Sequence, residues 1–193
     1  MNKTTNLMLV GVGGQGIILA SEVLSEALML AGQDVKKSEI HGMAQRGGSV
    51  RTDVRFAEKV RSPLIEAGGA DVLVSFEELE SLRYLGQLKA GGTAVVNRER
   101  IVPTTVFSGT IPYPEDVEGL LAARAGTVRM VDGVGLARQA GNVRAAGTCL
   151  LGAIAGLLPV TEEQWRAAFE AKMPPKVLEV NWAAFALGKT AGG

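Results

Sequence analysis

Six residues, Gly11-Val12-Gly13-Gly14-Gln15-Gly16, constrain this chain more than any others. They satisfy G-x-G-x-x-G and stand between an apolar run, Leu7 to Val10, and a stretch with helical spacing, Ile17 to Ala31. Glycines at such a junction allow a tight turn, let backbone approach a ligand, and let the helix pack closely on the sheet. The start of the helix then offers free N–H groups and a partial positive charge to an anion. The apolar run reads as a strand buried on both faces. The helix sets Ile17, Leu24, Leu28 and Ala31 against Ser21, Glu22, Ser25 and Glu26, and Gly32 stops it. Glycines that only make the tight strand–helix turn would give the same fingerprint, so they alone do not establish a nucleotide.

The alternation of strand and helix continues. Asp34 to Ser38 predicts a second strand and Glu39 to Gly48 a polar loop. In Val50 to Phe56, the residues Val50, Thr52, Val54 and Phe56 share one face and Arg51, Asp53 and Arg55 the other, which predicts a half-exposed strand. Lys59 to Ile65 is expected to pair back against it, with Pro63 confining it to an edge. Further strands are predicted over Asp71 to Phe76, Thr93 to Asn97 and Val128 to Val131, and Ile101 to Pro114 reads as a strand fragment and loop. Helices are predicted over Glu77 to Leu88, Glu115 to Ala125, Val134 to Ala140, Ala145 to Leu158, Thr161 to Ala171 and Pro175 to Leu187, with a frayed end from Lys189. Thr161 and Gln164 fit a capping box. The expected class is α/β: a Rossmann-like three-layer sandwich with a mostly parallel sheet and an antiparallel addition near residues 50–65. No repeat or linker divides the chain, so residues 1–193 read as a single domain.

Composition removes several functions. Lys+Arg and Asp+Glu are both 20, and a balance of zero argues against a dedicated nucleic-acid-binding protein. The chain has one cysteine, Cys149, and one histidine, His41. No internal disulfide can form. An iron–sulfur cluster takes about four cysteine ligands, which one chain with a single cysteine cannot supply. A structural zinc site is disfavoured on similar grounds, and no metal-ligand set is expected. Met1 to Asn6 lacks a charged leader with an apolar core, and the longest apolar stretch, Cys149 to Val160, is too short to span a bilayer. These features predict a cytoplasmic protein away from membranes.

A second motif follows the second strand: Ser38-Glu39-Ile40-His41-Gly42-Met43-Ala44-Gln45-Arg46-Gly47-Gly48-Ser49. In an open α/β sheet this loop would lie at the carboxyl edge beside the glycine turn, where ligands bind. Arg46 beside Gly47-Gly48 could present its guanidinium fork to a carboxylate or phosphate. Lys36, Lys37, Arg46, Arg51, Arg55, Lys59 and Arg61 outnumber Glu39, Asp53 and Glu58, a local surplus suited to an anion or an acidic partner. Arg51 and Arg55 are better read as solvating the outer face of a strand. Glu39 and Asp34 lie near the spacing at which an acidic residue holds a ribose in dinucleotide folds. The candidate ligand or partner-cleft residues are therefore Gly11, Gly13, Gly14, Gln15, Gly16, Glu39, His41, Gln45, Arg46, Gly47 and Gly48. No catalytic residue is assigned: His41 stands alone, Cys149 reads as a small core residue, and Glu77, Glu78 and Glu80, with Glu66 and Asp71, read as a solvated helix start. The residues describe a binding module more than a self-sufficient enzyme.

These same residues carry a family resemblance. Gly13 to Gly16 and Arg46 to Gly48 are similar to the gamma subunits or domains of the 2-oxoacid:ferredoxin oxidoreductases. Ser38-Glu39, His41 to Val50, Ser62-Pro63-Leu64-Ile65, Ala70 to Leu73, Phe76-Glu77, Glu80 and Arg83-Tyr84 resemble the small (beta) subunits of the indolepyruvate branch, as do Val96-Asn97, Gly141-Asn142, Leu151-Gly152, Asn181 and Ala184-Phe185. The resemblance spans about residues 7 to 188, and the 38–50 motif is its specific part.

The resemblance implies a subunit of an enzyme that oxidatively decarboxylates a 2-oxoacid with coenzyme A and reduces ferredoxin. It implies that thiamine diphosphate, magnesium and iron–sulfur clusters belong to a large catalytic partner subunit and none to this chain. The present subunit would complete the complex and its cleft, and the 36–61 segment, Arg46 above all, would face the coenzyme A phosphates. Two other readings stand beside it. One is a stand-alone dinucleotide-binding protein using Gly11 to Gly16 with Glu39. The other is a structural protein that forms a homodimer through its antiparallel edge.

Overall fold

The structure, a computed structural model, describes residues 4–41, 48–102 and 112–192. Six strands form one sheet: β1 (Thr5–Val12), β2 (Asp34–His41), β3 (Ser49–Ala57), β4 (Ala70–Ser75), β5 (Leu88–Asn97) and β6 (Thr127–Val131). Their order is β2-β3-β1-β4-β5-β6. β1, β4, β5 and β6 are parallel neighbours, and β3 runs antiparallel to both β1 and β2. Among the described residues there are seven α-helices: α1 (Ile17–Leu30), α2 (Glu78–Arg83), α3 (Val117–Ala122), α4 (Gly133–Gln139), α5 (Ala146–Ala155), α6 (Glu162–Lys172) and α7 (Pro175–Ala191).

The three layers follow from the strand pattern. Leu7, Met8, Leu9 and Val10 are all fully buried, as a strand covered on both faces requires. Leu7 and Leu9 pack into a core shared with α1, α5, α6 and α7, including Trp165, Phe169 and Phe185. Met8 and Val10 face the other way, into a smaller core with Leu73, Leu88, Val96, Val117 and Leu121. α1 turns Ala20, Val23, Leu24, Ala27 and Leu28 inward. Its end is tied to α6 by Gln164 Nε2, which donates to Leu30 O at 3.1 Å. The same Gln164 closes the expected capping box with Thr161.

The predicted class holds, with a more specific topology. The antiparallel strand is inside the sheet, wedged between β2 and β1. β2 runs on to His41, so Glu39 belongs to a strand and not to the predicted loop, because its backbone pairs with Thr52. β5 begins at Leu88, and Gly91-Gly92 forms an excursion within it, since Ala70 pairs with Leu88 and Val72 already with Thr93. The predicted helix Glu77 to Leu88 is accordingly shortened to α2 and a single 3-10 turn, Leu85–Gln87. α7 continues to Ala191 where fraying was expected, because Gly188 and Gly192 lie directly on the backbone of α5. A Cβ at Gly188 would stand 2.0 Å from Cys149 O, one at Gly152 2.1 Å from Phe185 O, and one at Gly192 2.4 Å from Ala153 O.

β3 is not half-exposed. Val50, Thr52, Val54 and Phe56 are buried as predicted, but Asp53 on the opposite face is 1% exposed. The segment 58–69 holds no strand and crosses over that face. Arg51 binds Asp53 through Nε at 2.7 Å and Nη2 at 2.8 Å, and Ile65 N–H donates to the same carboxylate at 3.1 Å. Arg55 donates to Asn6 Oδ1, Ser62 O and Leu64 O. Both arginines therefore organise a crossing loop, and neither merely solvates a strand.

Candidate functional site

The glycine turn works as its residues require. Gly14 and Gly16 have φ of +108° and +81°, a region that side chains disfavour, and Gly16 is the N-cap of α1. The turn is pinned by Gln15. Its Oε1 accepts from Val12 N–H at 2.7 Å, and its Nε2 donates to Phe76 O at 2.9 Å and to Glu99 Oε2 at 3.0 Å. One amide thus joins the ends of β1 and β4 to the segment after β5. Gly13 N–H donates to Gly48 O at 2.8 Å, so the exit of the 42–48 segment returns to the glycine turn.

A cleft of about 570 Å³ opens at this carboxyl edge. Gly14, Gln15 and Gly16 form one wall, and Phe76, Asn97 and Glu99 the floor. Val134 and Arg138 of α4, with Val143, Arg144, Ala146 and Gly147, form the opposite wall. The floor is rigidly built. Asn97 is 2% exposed; its Nδ2 donates to Phe76 O and Glu99 Oε2, and its Oδ1 accepts from Gly133 N–H at the start of α4. Gly147 admits the Phe76 ring, since a Cβ there would stand 2.6 Å from Phe76 Cε1.

The predicted site residues divide. Gly11, Gly13, Gly14, Gln15, Gly16 and Gly48 are brought together at the end of β1. Glu39 is not among them. It lies on β2, with β3 between it and β1, and its carboxylate is paired with Lys37 at 2.7 Å. The backbone of His41 ends β2 opposite Val50. Gln45, Arg46 and Gly47 lie outside the described residues. Sequence reasoning missed Phe76, Asn97, Glu99, Arg138 and Arg144, which converge from four separate stretches of chain. The signal available for Asn97 and Glu99 was their place just after a predicted strand, the carboxyl edge of the sheet.

Beside the cleft, the acidic start of α2 is buried and not solvated: Glu77, Glu78 and Glu80 are 1%, 5% and 4% exposed. Partners explain it. Glu77 Oε2 caps Glu80 N–H, and its Oε1 accepts from Ile101 N–H and Tyr113 O–H. Glu78 takes Arg100 at 2.6 Å. Glu80 accepts from Ser49 Oγ at 2.5 Å and from Arg83 at 3.0 Å. Burial, the larger effect, raises the Glu80 carboxyl above its ordinary value despite the Ser49 bond. Burial and the neighbouring Glu77 likewise hold the Tyr113 phenol far above its ordinary range. Burial pushes the Cys149 thiol up to about 11, which makes it a core residue without a reactive thiolate.

A family model described as pyruvate ferredoxin/flavodoxin oxidoreductase matches residues 6–191. The chain belongs to that family. Indolepyruvate oxidoreductase subunit IorB of Thermococcus kodakarensis is 39% identical over 191 residues, covering 96% of this chain and 95% of that one. The IorB subunit of Archaeoglobus fulgidus is 38% identical over 95% of this chain and 92% of its own. A more distant relative, 2-oxoglutarate synthase subunit KorC of Methanothermobacter marburgensis, is 30% identical over 95% of this chain and 94% of its own. Among solved structures, the gamma subunit of a keto/oxoacid ferredoxin oxidoreductase from Geobacter sulfurreducens superposes with a TM-score of 0.72 at 24% identity, over 97% and 98% of the two chains. A 2-oxoglutarate:ferredoxin oxidoreductase from Magnetococcus marinus, solved with coenzyme A bound, superposes at 0.75 and 21% identity, taking in all of this chain and 31% of that one. Both likenesses are of fold.

The redox groups that the family implies do not fit this member. One buried cysteine cannot ligate a cluster. Among the described residues no group of three or more His, Cys, Asp or Glu is placed to hold a metal ion, and no helix is long and apolar enough to cross a membrane.

Proposed function

We propose that this chain is the small subunit of an indolepyruvate-type 2-oxoacid:ferredoxin oxidoreductase. The reaction converts a 2-oxoacid, coenzyme A and two oxidised ferredoxins into an acyl-CoA, carbon dioxide, a proton and two reduced ferredoxins. The observation that carries the reading is the end-to-end identity of 39% with an IorB subunit. The chain's chemistry agrees with a division of labour. Thiamine diphosphate with magnesium, and iron–sulfur clusters, reside in the large cytoplasmic partner, which performs decarboxylation and electron transfer. This subunit completes the assembly around the cleft edge and is inactive alone.

The earlier expectation that the 36–61 segment faces coenzyme A phosphates narrows to Arg46, to the exposed Arg61, and to Lys59, which is held only by a 3.7 Å pair with Asp34. Lys36, Lys37, Arg51 and Arg55 are all engaged within the fold. The stand-alone dinucleotide reading loses its ribose ligand, since Glu39 is paired on β2.

The test is anaerobic capture of the tagged chain from its native cytoplasm, with iron and thiamine assays on the eluate. A large co-eluting subunit that carries both, and reduces ferredoxin with indolepyruvate and coenzyme A, is the expected outcome. A chain that elutes alone, without iron or thiamine, overturns the reading.

A further inference from the structure

The cleft beside the glycine turn keeps charges of both signs unspent. Glu99 uses only Oε2, which accepts from Gln15 and Asn97, while its Oε1 has no partner among the described residues. Arg138 and Arg144 are exposed and line the same cleft, and their guanidinium groups make no hydrogen bond or ion pair among the described residues, either with Glu99 or elsewhere. A carboxylate only accepts hydrogen bonds and a guanidinium only donates them. A ligand filling this cleft must therefore bring donors to the floor and acceptors to the rim. Inorganic phosphate alone would satisfy the arginines and be repelled by Glu99.

We propose that the cleft binds a ribonucleotide with a 5′-diphosphate or 5′-triphosphate and an unmodified ribose diol. The phosphates lie at Arg138 and Arg144, and the diol donates to Glu99 Oε1. The volume, about 570 Å³, lies within the range of small-ligand sites. Glu99 thereby does from the end of β5 what an acidic residue near the glycine turn does in dinucleotide folds. A ribose phosphorylated at its 3′ oxygen would set an anion against Glu99. The site thus rejects the ribose of coenzyme A, which carries that phosphate, and is separate from the coenzyme A of the oxoacid reaction. It does not rest on the oxoacid reading, and its failure would leave that reading standing.

The full chain is titrated by calorimetry with ADP, adenosine 3′,5′-bisphosphate and sodium pyrophosphate. ADP is expected to saturate below about 1 mM and to bind at least about tenfold more tightly than either of the others. The double variant Arg138→Ala/Arg144→Ala, which breaks no contact in the fold, weakens ADP by about tenfold or more. Glu99→Gln keeps an acceptor for Gln15 and Asn97, and brings ADP and adenosine 3′,5′-bisphosphate to within about threefold of each other. Three results would overturn the proposal: no saturation by ADP in that range, ADP bound no better than pyrophosphate, or a folded double-arginine variant that binds ADP like the wild type. Any of them would leave the cleft to an inserted loop of a partner protein.

Discussion

Two regions of this protein concentrate basic residues, and they use them in opposite ways. On β2 and β3 the cations are spent inside the fold. Lys36 meets Asp34, Lys37 meets Glu39, and Arg51 meets Asp53. At the cleft rim Arg138 and Arg144 meet nothing among the described residues. A surplus counted along a sequence is therefore a poor guide to a surplus presented to a ligand. Each of the three strand pairs is spaced by two residues, and alternate residues of a strand share a face. The strand brings its own counter-charges, whereas α4 and the turn after it do not.

The sharpest way to break this comparison is to remove one strand counter-charge. Asp53→Ala leaves Arg51 without its carboxylate and Ile65 N–H without its acceptor. Loss of one member of a buried pair should cost about 3 kcal/mol, read as a lower midpoint in urea unfolding. An Asp53→Ala protein as stable as the wild type would show that the pairing is incidental.

The next test addresses the cleft floor. Gly147→Ala puts a methyl group 2.6 Å from the Phe76 ring. Overpacking of this kind should cost about 1–2 kcal/mol, measured in the same assay. It should also weaken nucleotide binding, because Phe76 O anchors both Gln15 and Asn97.

Glu80 of α2, bonded to Ser49 of β3, tests a further buried charge, now with pH. Its folded pKa is raised by burial, so its contribution to stability is fully present below its unfolded value and is lost as pH rises through the folded value. Glu80→Gln removes that dependence. The variant should gain on the wild type by up to about 1 kcal/mol at neutral pH, with the gap closing as pH falls toward about 4.5. A gap that widens on acidification would reverse the sign and show that the Arg83 and Ser49 bonds outweigh burial.

The smallest effect belongs to the rim. Arg138→Ala/Arg144→Ala should change thermal stability by no more than about 0.5 kcal/mol, since neither side chain holds the fold. A larger loss would mean that these arginines are spent after all, and the contrast between the two regions would fall.

Much of the fold was legible because it rests on local patterns. Leu7 to Val10 and the glycines after it fix a buried strand and the turn into α1. The Thr161/Gln164 box fixes the start of α6. Two things were not legible for the same physical reason. The wedging of β3 between β2 and β1 depends on pairing partners distant in sequence. So does the burial of Asp53, Glu77 and Glu80, whose charges are tolerated only where Ile65, Tyr113 and Ser49 arrive from elsewhere. The cleft was half legible. Its glycine wall is one continuous motif, while Asn97, Glu99, Arg138 and Arg144 are scattered and acquire meaning only where β5, α4 and α5 end beside that motif.

The contact between α5 and α7 has a mechanical consequence. Helices that touch through long side chains can slide, because rotamers absorb small displacements. Here Gly152, Gly188 and Gly192 bring backbone against backbone, and the side chains packed beside them, Cys149 and Ala184, are small. A pair packed this way is expected to move as a single stiff lever. One arm is α7, with its solvent-facing side; the other is α5, whose first residues, Ala146 and Gly147, form the wall of the cleft. A push on the outer helix would reach that wall without being damped on the way.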